Sequence, residues 1–451
     1  MSFLLDTGAL VAAIALGAVA AGFAGRGLFA GLSRAERVAW AVWTGLALEA
    51  AIYLVALAVG ERPGPAVMFG ATALLAAAAR VLGRRKPALP ETRPGRLAAA
   101  ALLFAAIAVA LFAVVALSEP MWSNDWLAIW GLKGKTIYLS GGIPDRLFHD
   151  PVSAWSHPEY PLGLPAILAG LSAAIGRWDD HALAVVFPVI AAATAAAIYG
   201  WTKRRFSPAA GAVAALLAAA FFPLYAGFEV GMAEIPLSLA LVLFGAAALD
   251  FSEAPTRAAA GRLALAAFLA ASVKQEGALF ALLASGWMAL REIARRSGRA
   301  VPVLSLAAAP VVLHQLAMIA ARGVIADRDF DGSFARPERW AELARRGGQA
   351  LSHLVRPEDA TTWIALLALA AFAAAARPVR GVPALALLGP PLLAQAAVYV
   401  AVCAFSAFDP AWQVVFVPRL LRALFPVALL ALAPRLAFVC EGSRSVKVPA
   451  E

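Results

Sequence analysis

Two stretches of the chain settle its fold class. Residues 97–117 and 381–402 contain no charged side chain, and each is long enough as a helix to cross a hydrocarbon layer about 30 Å thick. The rest of the chain follows the same pattern. Of 451 residues, 62% are hydrophobic and only 15% charged, more apolar surface than a single soluble core absorbs. A backbone in lipid has to satisfy its own polar groups, and a helix does this within one segment. The sequence therefore predicts an all-α polytopic membrane protein. A soluble enzyme, a secreted disulfide scaffold and a disordered chain are excluded.

The net charge of +10 suggests nucleic acid only until the charges are placed. Arg80, Arg84, Arg85, Lys86, Arg93 and Arg96 share one short loop with Glu91. Lys203, Arg204 and Arg205 form a second cluster, and Arg291, Arg295, Arg296 and Arg299 a third. This is the positive-inside signature of cytoplasmic loops, so no nucleic-acid partner is expected. The first residues lack the positive segment of a cleavable signal, which makes the first apolar run an expected retained span. Cys403 and Cys440 fall on opposite sides of this topology and cannot pair.

Hydropathy predicts about 13 spans: 7–24, 37–59, 65–83, 97–117, 181–201, 208–228, 231–250, 262–273, 277–290, 301–320, 361–376, 381–402 and 419–437. The apolar segment 160–176 is left out. If it crossed, the cluster at 203–205 would land outside; if it lies along the outer surface, every basic cluster stays inside. Pro161, Gly163, Pro165 and Gly170 suit a broken interfacial helix. The chain then divides into N-terminal helices (1–117), a first outer loop with interfacial helices (118–180), central helices (181–320), a second outer loop (321–360) and C-terminal helices with a cytoplasmic tail (361–451). The second loop holds seven Arg and seven acids over 321–359 and is expected to be helical in part. No fixed-period repeat is visible, which weakens an inverted-repeat transporter reading.

Polar islands carry the chemistry. As the fourth span ends, Asp125 stands among Trp122, Trp126 and Trp130, followed by Lys133 and Lys135. Alone this also reads as an aromatic belt in which Asn124 or Asp125 caps a helix. His157, Pro158, Glu159, Tyr160 and Pro161 follow about 30 residues later, and alone they suit a Pro-rich turn. Glu234 lies in Gly227-Phe-Glu-Val-Gly-Met-Ala-Glu-Ile-Pro236. Lys274 and Glu276 lie in Ser272-Val-Lys-Gln-Glu-Gly277. Asp409, Trp412, Arg419, Arg422 and Pro426 form the last island.

In this order and on one side of the membrane, the islands resemble the GT-C superfamily of polyprenyl- or dolichyl-phosphate-sugar-dependent glycosyltransferases, including protein mannosyltransferases and lipid A aminoarabinose transferases. The resemblance covers about 119–426, in islands. It implies a first outer loop carrying the catalytic acid and two helices along the membrane. Glu234 stands where the family's Gly-x-Ala-Asp-x-Pro stretch has Asp, and the 274–277 segment is similar to its Lys-x-Glu-Gly element. The chain departs from the pattern in placing three further spans before the acid, and in having Asn124 where many members have a second acid. It lacks both the Trp-Trp-Asp motif and the large C-terminal soluble domain of oligosaccharyltransferases.

The resemblance implies a hexosyl- or pentosyltransferase that moves a sugar from a polyprenyl-phosphate-linked donor to an envelope glycan, lipid or protein. It would face the periplasm or exterior of a bacterial cytoplasmic membrane. A phosphate leaving group is already stable as an anion, so the main demand is one base for the acceptor proton, unlike the paired carboxylates of glycoside hydrolysis. Asp125 is that base by position. Arg419 and Arg422, one turn apart, suit the departing phosphate, with Lys274 as a further cation. Snorkelling arginines and a hairpin-tip pair between Lys274 and Glu276 account for the same residues without chemistry. Glu159 and Glu234 are expected to hold the acceptor, orient Asp125 or meet a divalent cation, while His157 and Tyr160 complete the substrate-binding set. Enzymes of this type often need no metal, so none is assigned, and no other cofactor is expected. Membrane lipids are the remaining partner.

Other residues keep other readings open. Glu49 lies midway along the second span, where an ionised acid costs roughly 2.5–3.5 kcal/mol; it is the chief feature for a transporter or a flippase of lipid-linked sugars. His314 and Gln315 read as interhelical hydrogen-bonding residues. An O-antigen ligase or polymerase would use the arginines of the second loop.

Overall fold

A computed structural model describes residues 2–82, 94–149, 156–221, 230–323, 340–354, 367–368, 370–372, 374, 384–405 and 417–441. Among the described residues there are helices and no strands. The helices are α1 Ser2–Ala24, α2 Arg34–Ala58, α3 Pro65–Leu82, α4 Arg96–Ala116, α5 Gly131–Ser140, α6 Arg146–His149, α7 Gly163–Ile175, α8 Val186–Arg205 and α9 Pro208–Phe221. They continue with α10 Glu234–Glu253, α11 Arg257–Val273, α12 Gln275–Ala294, α13 Ala300–Arg322, α14 Trp340–Leu354, α15 Ala384–Phe405 and α16 Val417–Glu441. A π-helical turn, Trp126–Trp130, leads into α5, and a 3-10 turn, Ala182–Val185, leads into α8.

Ten of these are long and apolar enough to cross a membrane. The protein is thus an all-α, multi-pass membrane protein. Of the other expected spans, α9 has 14 residues and α11 has 17, while 361–376 lies largely outside the described residues. The expected boundaries 262–273 and 277–290 are too short. Helix α11 starts at Arg257, capped by Thr256, whose hydroxyl accepts from the Ala259 amide at 3.1 Å. Helix α12 runs on to Ala294.

Helix α10 is the axis of the bundle. Every residue from Glu234 to Phe251 is buried, against α8, α11, α12 and α16. Small residues let the surrounding helices close in. At Gly45 of α2, a Cβ would come within 2.5 Å of the Ala18 amide of α1. Glu49 is buried, and Thr72 of α3 donates a 3.0 Å hydrogen bond to its Oε1, an interhelical link of the kind membrane interiors use.

Charged contacts gather at two ends of the bundle. At one end, Arg204 donates to Glu36 at 2.7 and 2.9 Å and to Asp250 at 2.9 and 3.0 Å. Arg205 and Arg262 also reach Asp250, at 2.7 and 3.2 Å. Glu36 also forms a capping box with Ser33 that starts α2. The opposite end holds Asp125, Glu159, Glu234, Lys274 and Arg419.

Helix α7 belongs wholly to that second end. Gly163 packs against the Ser272 carbonyl where α11 finishes, and Gly176, with φ +79°, sits beside Pro65 where α3 starts. Its 13 residues rise about 20 Å, short of a crossing. The segment 160–176 thus holds a helix shorter than a span, and that helix is not broken. Pro165 falls in the first turn, where its missing N–H costs nothing, and Gly170 packs on the Glu49 carbonyl. Nor does it lie open on a surface: Leu164 to Ala174 are all buried, beneath α2 and α5.

Candidate active site

Four islands far apart in sequence meet in one chain of ion pairs. Arg419, in the first turn of α16, places Nη1 3.2 Å from Asp125 Oδ2 and Nε 3.1 Å from Glu234 Oε1. Lys274, in the break between α11 and α12, donates to Glu234 Oε1 at 2.8 Å and lies 2.9 Å from Glu276 Oε1. Lys274 and Glu234 are each 2% exposed. Burial opposes the Lys274 ammonium, but Glu234 and Glu276 outweigh it and raise its pKa above the ordinary value. Gln395 of α15 donates to the Glu276 carbonyl at 3.1 Å.

The sequence explains why the break holds its shape. Lys274 is extended, at φ −157° and ψ 153°, between two helices. Gly277 then packs directly on the Ala270 carbonyl, a position with no room for a Cβ. The Lys-Gln-Glu-Gly run is therefore a tight junction with its cation turned inward.

Asp125 opens the π-helical turn in αR geometry without capping it; Ser123 Oγ accepts from the Trp126 amide instead, at 3.3 Å. That corrects the capping alternative. The aromatic belt is corrected as well. Trp122 is 51% exposed and donates to Glu119 at 2.6 Å, but Trp126 and Trp130 are buried in the core. Asp125 is 15% exposed, and its Oδ1 has no hydrogen-bond partner among the described residues.

The His157 island docks beside this chain. His157 Nδ1 pairs with Glu159 Oε1 at 2.7 Å. The His157 ring stacks on Tyr160 at 4.5 Å between centroids, and Tyr160 stacks on Trp130 at 5.5 Å. Lys133, fully buried, donates to the His157 carbonyl at 2.5 Å. Gln275 donates to the Glu159 carbonyl at 3.3 Å. Burial alone would raise the Glu159 pKa, but the hydrogen bond and charge of His157, with Lys133 nearby, hold it below the ordinary value. His157 has φ +50°, a left-handed conformation that costs a non-glycine residue about 1–3 kcal/mol.

These contacts close into a ring running from Asp125 through Arg419, Glu234, Lys274, Gln275, Glu159, His157 and Lys133, then back along α5 to Asp125. Eight of the nine sequence-predicted site residues belong to the ring or touch it. Arg422, one turn along α16, lies beside it. The islands' 227–229 and 406–416 portions, with Asp409 and Trp412, lie outside the described residues. Among the described residues no group of three metal-ligating side chains forms a site.

Sequence reasoning missed Lys133 as a member and overlooked Asp180 altogether. Asp180 Oδ1 accepts from the indoles of Trp126 and Trp178, at 2.9 and 2.8 Å, and so holds the residue next to Asp125. The only signal was an acid beside a tryptophan in 178–180. Asp180→Ala leaves two partly buried indole N–H groups unpaired, at about 1–3 kcal/mol in total. The expected result is a lower melting temperature; a melting temperature equal to that of wild type would exclude this positioning role. Comparison of the chain with protein-family models, with curated proteins and with solved structures gives no match.

Proposed function

We propose that the protein is a GT-C-like glycosyltransferase of a bacterial cytoplasmic membrane, with its ring on the periplasmic or outer face. It moves a sugar from a polyprenyl-phosphate-linked donor to a hydroxyl of an envelope glycan, lipid or protein. The observation that carries this reading is the open Oδ1 of Asp125 beside Arg419, in a ring assembled from the islands that bear the family resemblance. The arrangement offers one carboxylate oxygen to take the acceptor proton while Arg419 fixes the other. Basic clusters at the far end of the bundle support the outward orientation of the ring. A required metal forms no part of the reading.

Envelope-glycan mass spectrometry on a deletion strain, with and without the wild-type gene, tests it. The expected result is a glycan short by one sugar unit in the deletion, restored by wild type. Intact glycans with lipid-linked sugar accumulating on the inner leaflet would favour a flippase instead. Glu49 is the observation on which that second reading rests.

A further inference from the structure

The end of the bundle opposite the ring carries two groups of arginines in different surroundings. Arg204, Arg205 and Arg262 are paired with Glu36, Asp250 and Glu253. Arg291, Arg295, Arg296 and Arg299 stand in the α12–α13 turn, where Glu292 is the one acid in 291–299. The turn lies at the same end, because Glu292 and Arg299 line a small cavity with Phe251 and Ser252 of α10. We propose that this turn binds an anionic phospholipid of the adjoining leaflet, its phosphate on Arg291 and flanked by Arg296 and Arg299. The proposal stands independently of the transfer reaction.

Glu292 is already engaged. Its Oε1 meets Arg295 at 3.4 Å, and Ser297 donates to its Oε2. Arg296 and Arg299 are exposed and form no ion pair among the described residues. Arg291 is the decisive group: its Nη1 is buried and has no hydrogen-bond partner among the described residues. Its charged neighbours are Arg295, which repels it, and Glu292. A snorkelling arginine holds its head in water; this one encloses part of it. An enclosed N–H without an acceptor is unfavourable, and a phosphate oxygen satisfies it in the forked geometry that guanidinium favours.

The backbone presents the cluster. The Arg296 amide donates to the Ile293 carbonyl at 2.8 Å and the Ser297 amide to the Glu292 carbonyl at 2.9 Å, which closes α12 in a Schellman turn. The left-handed position of such a turn is usually glycine. Here it is Arg296, at φ +53°. Helix α13 then begins with no side chain capping its first amides, which adds the positive end of its dipole to the turn. The flanking side chains are apolar and open: Leu290, Ile293, Val301 and Leu304 are 60, 59, 71 and 41% exposed. On spanning helices such side chains meet acyl chains, so a lipid fits both the arginines and their surroundings, whereas a soluble polyanion fits only the arginines.

Native mass spectrometry of the full protein, titrated in neutral detergent with phosphatidylglycerol or phosphatidylcholine, tests this. Wild type should bind one phosphatidylglycerol about tenfold more tightly than phosphatidylcholine, the effect of one charged hydrogen bond. Arg291→Gln should lose that preference while melting like wild type without added lipid. The exposed pair Arg296→Gln and Arg299→Gln, changed together, should lose part of it. Arg37→Gln is the charge-matched control, in the first turn of α2 at the same end; α2 packs chiefly on α1, α7 and α8. It should keep the preference. Equal binding of the two lipids by wild type overturns the proposal, as does an unchanged preference in Arg291→Gln. An equal loss in Arg37→Gln overturns the site in favour of diffuse attraction. Competition by glycerophosphoglycerol, the headgroup without its chains, at concentrations equal to the lipid overturns the lipid as ligand.

Discussion

On the proposed function, Asp125→Asn is expected to abolish most of the sugar transfer without disturbing the protein. The substitution keeps shape and volume, and it keeps an oxygen for Arg419 Nη1, now 3.2 Å from Oδ2. It removes the open carboxylate oxygen of Asp125. A positioned general base contributes about 10²–10⁴-fold, so the rate of sugar transfer should drop by that factor. Asp125 caps no helix, and abundance and melting temperature should therefore stay near wild type. The measurement is the complementation described above, with membrane abundance followed in parallel. Full restoration of the glycan by an equally abundant Asp125→Asn would remove Asp125 from the role of base.

Lys274→Met has its largest effect on stability. Lys274 and Glu234 are both buried, at 2% exposure, and Glu276 shares the same ammonium. Removing one partner of a buried pair costs about 3–5 kcal/mol, because the other charge is left uncompensated. Arg419 still reaches Glu234, which places the expected loss at the lower end, about 3 kcal/mol. Adding Glu234→Gln should recover part of it, since the stranded charge is then gone. Thermal unfolding of the two variants and the double variant decides this. If Lys274→Met melts like wild type, the pair is not what holds the α11–α12 junction.

The spans were legible because a lipid-facing helix must be apolar along its whole length, so 97–117 could only read one way. Their ends were less legible where charges sit within a helix. The expected span 262–273 starts at Arg262, but the helix starts at Arg257 and holds Arg262 inside it, where Asp250 and the Leu28 carbonyl receive it at 3.2 and 2.7 Å. Glu292 similarly lies inside α12, within 3.4 Å of Arg295. The meeting of Asp125, Glu234, Lys274 and Arg419 was legible only as a shared side of the membrane. Their order in the ring depends on which helix ends are neighbours, a tertiary fact that no local pattern carries. Asp180 stayed hidden because its partners are two indoles, one of them 54 residues away. The burial of Trp126 and Trp130 reversed the belt reading for the same reason: amphipathic rings look alike whether lipid or protein covers them.

The contacts between α7 and the N-terminal helices bear on how the chain can be subdivided. Gly170 rests on the Glu49 carbonyl, Gly176 on Pro65, Arg62 donates to the Ser140 carbonyl at 2.6 Å, and Arg177 donates to Asp6. The first three spans are thus not a detachable module. They are the foundation on which the ring-bearing loop is laid. A shortened chain begun at residue 96 would keep Asp125, His157 and Arg419 and yet lose the floor beneath two of them.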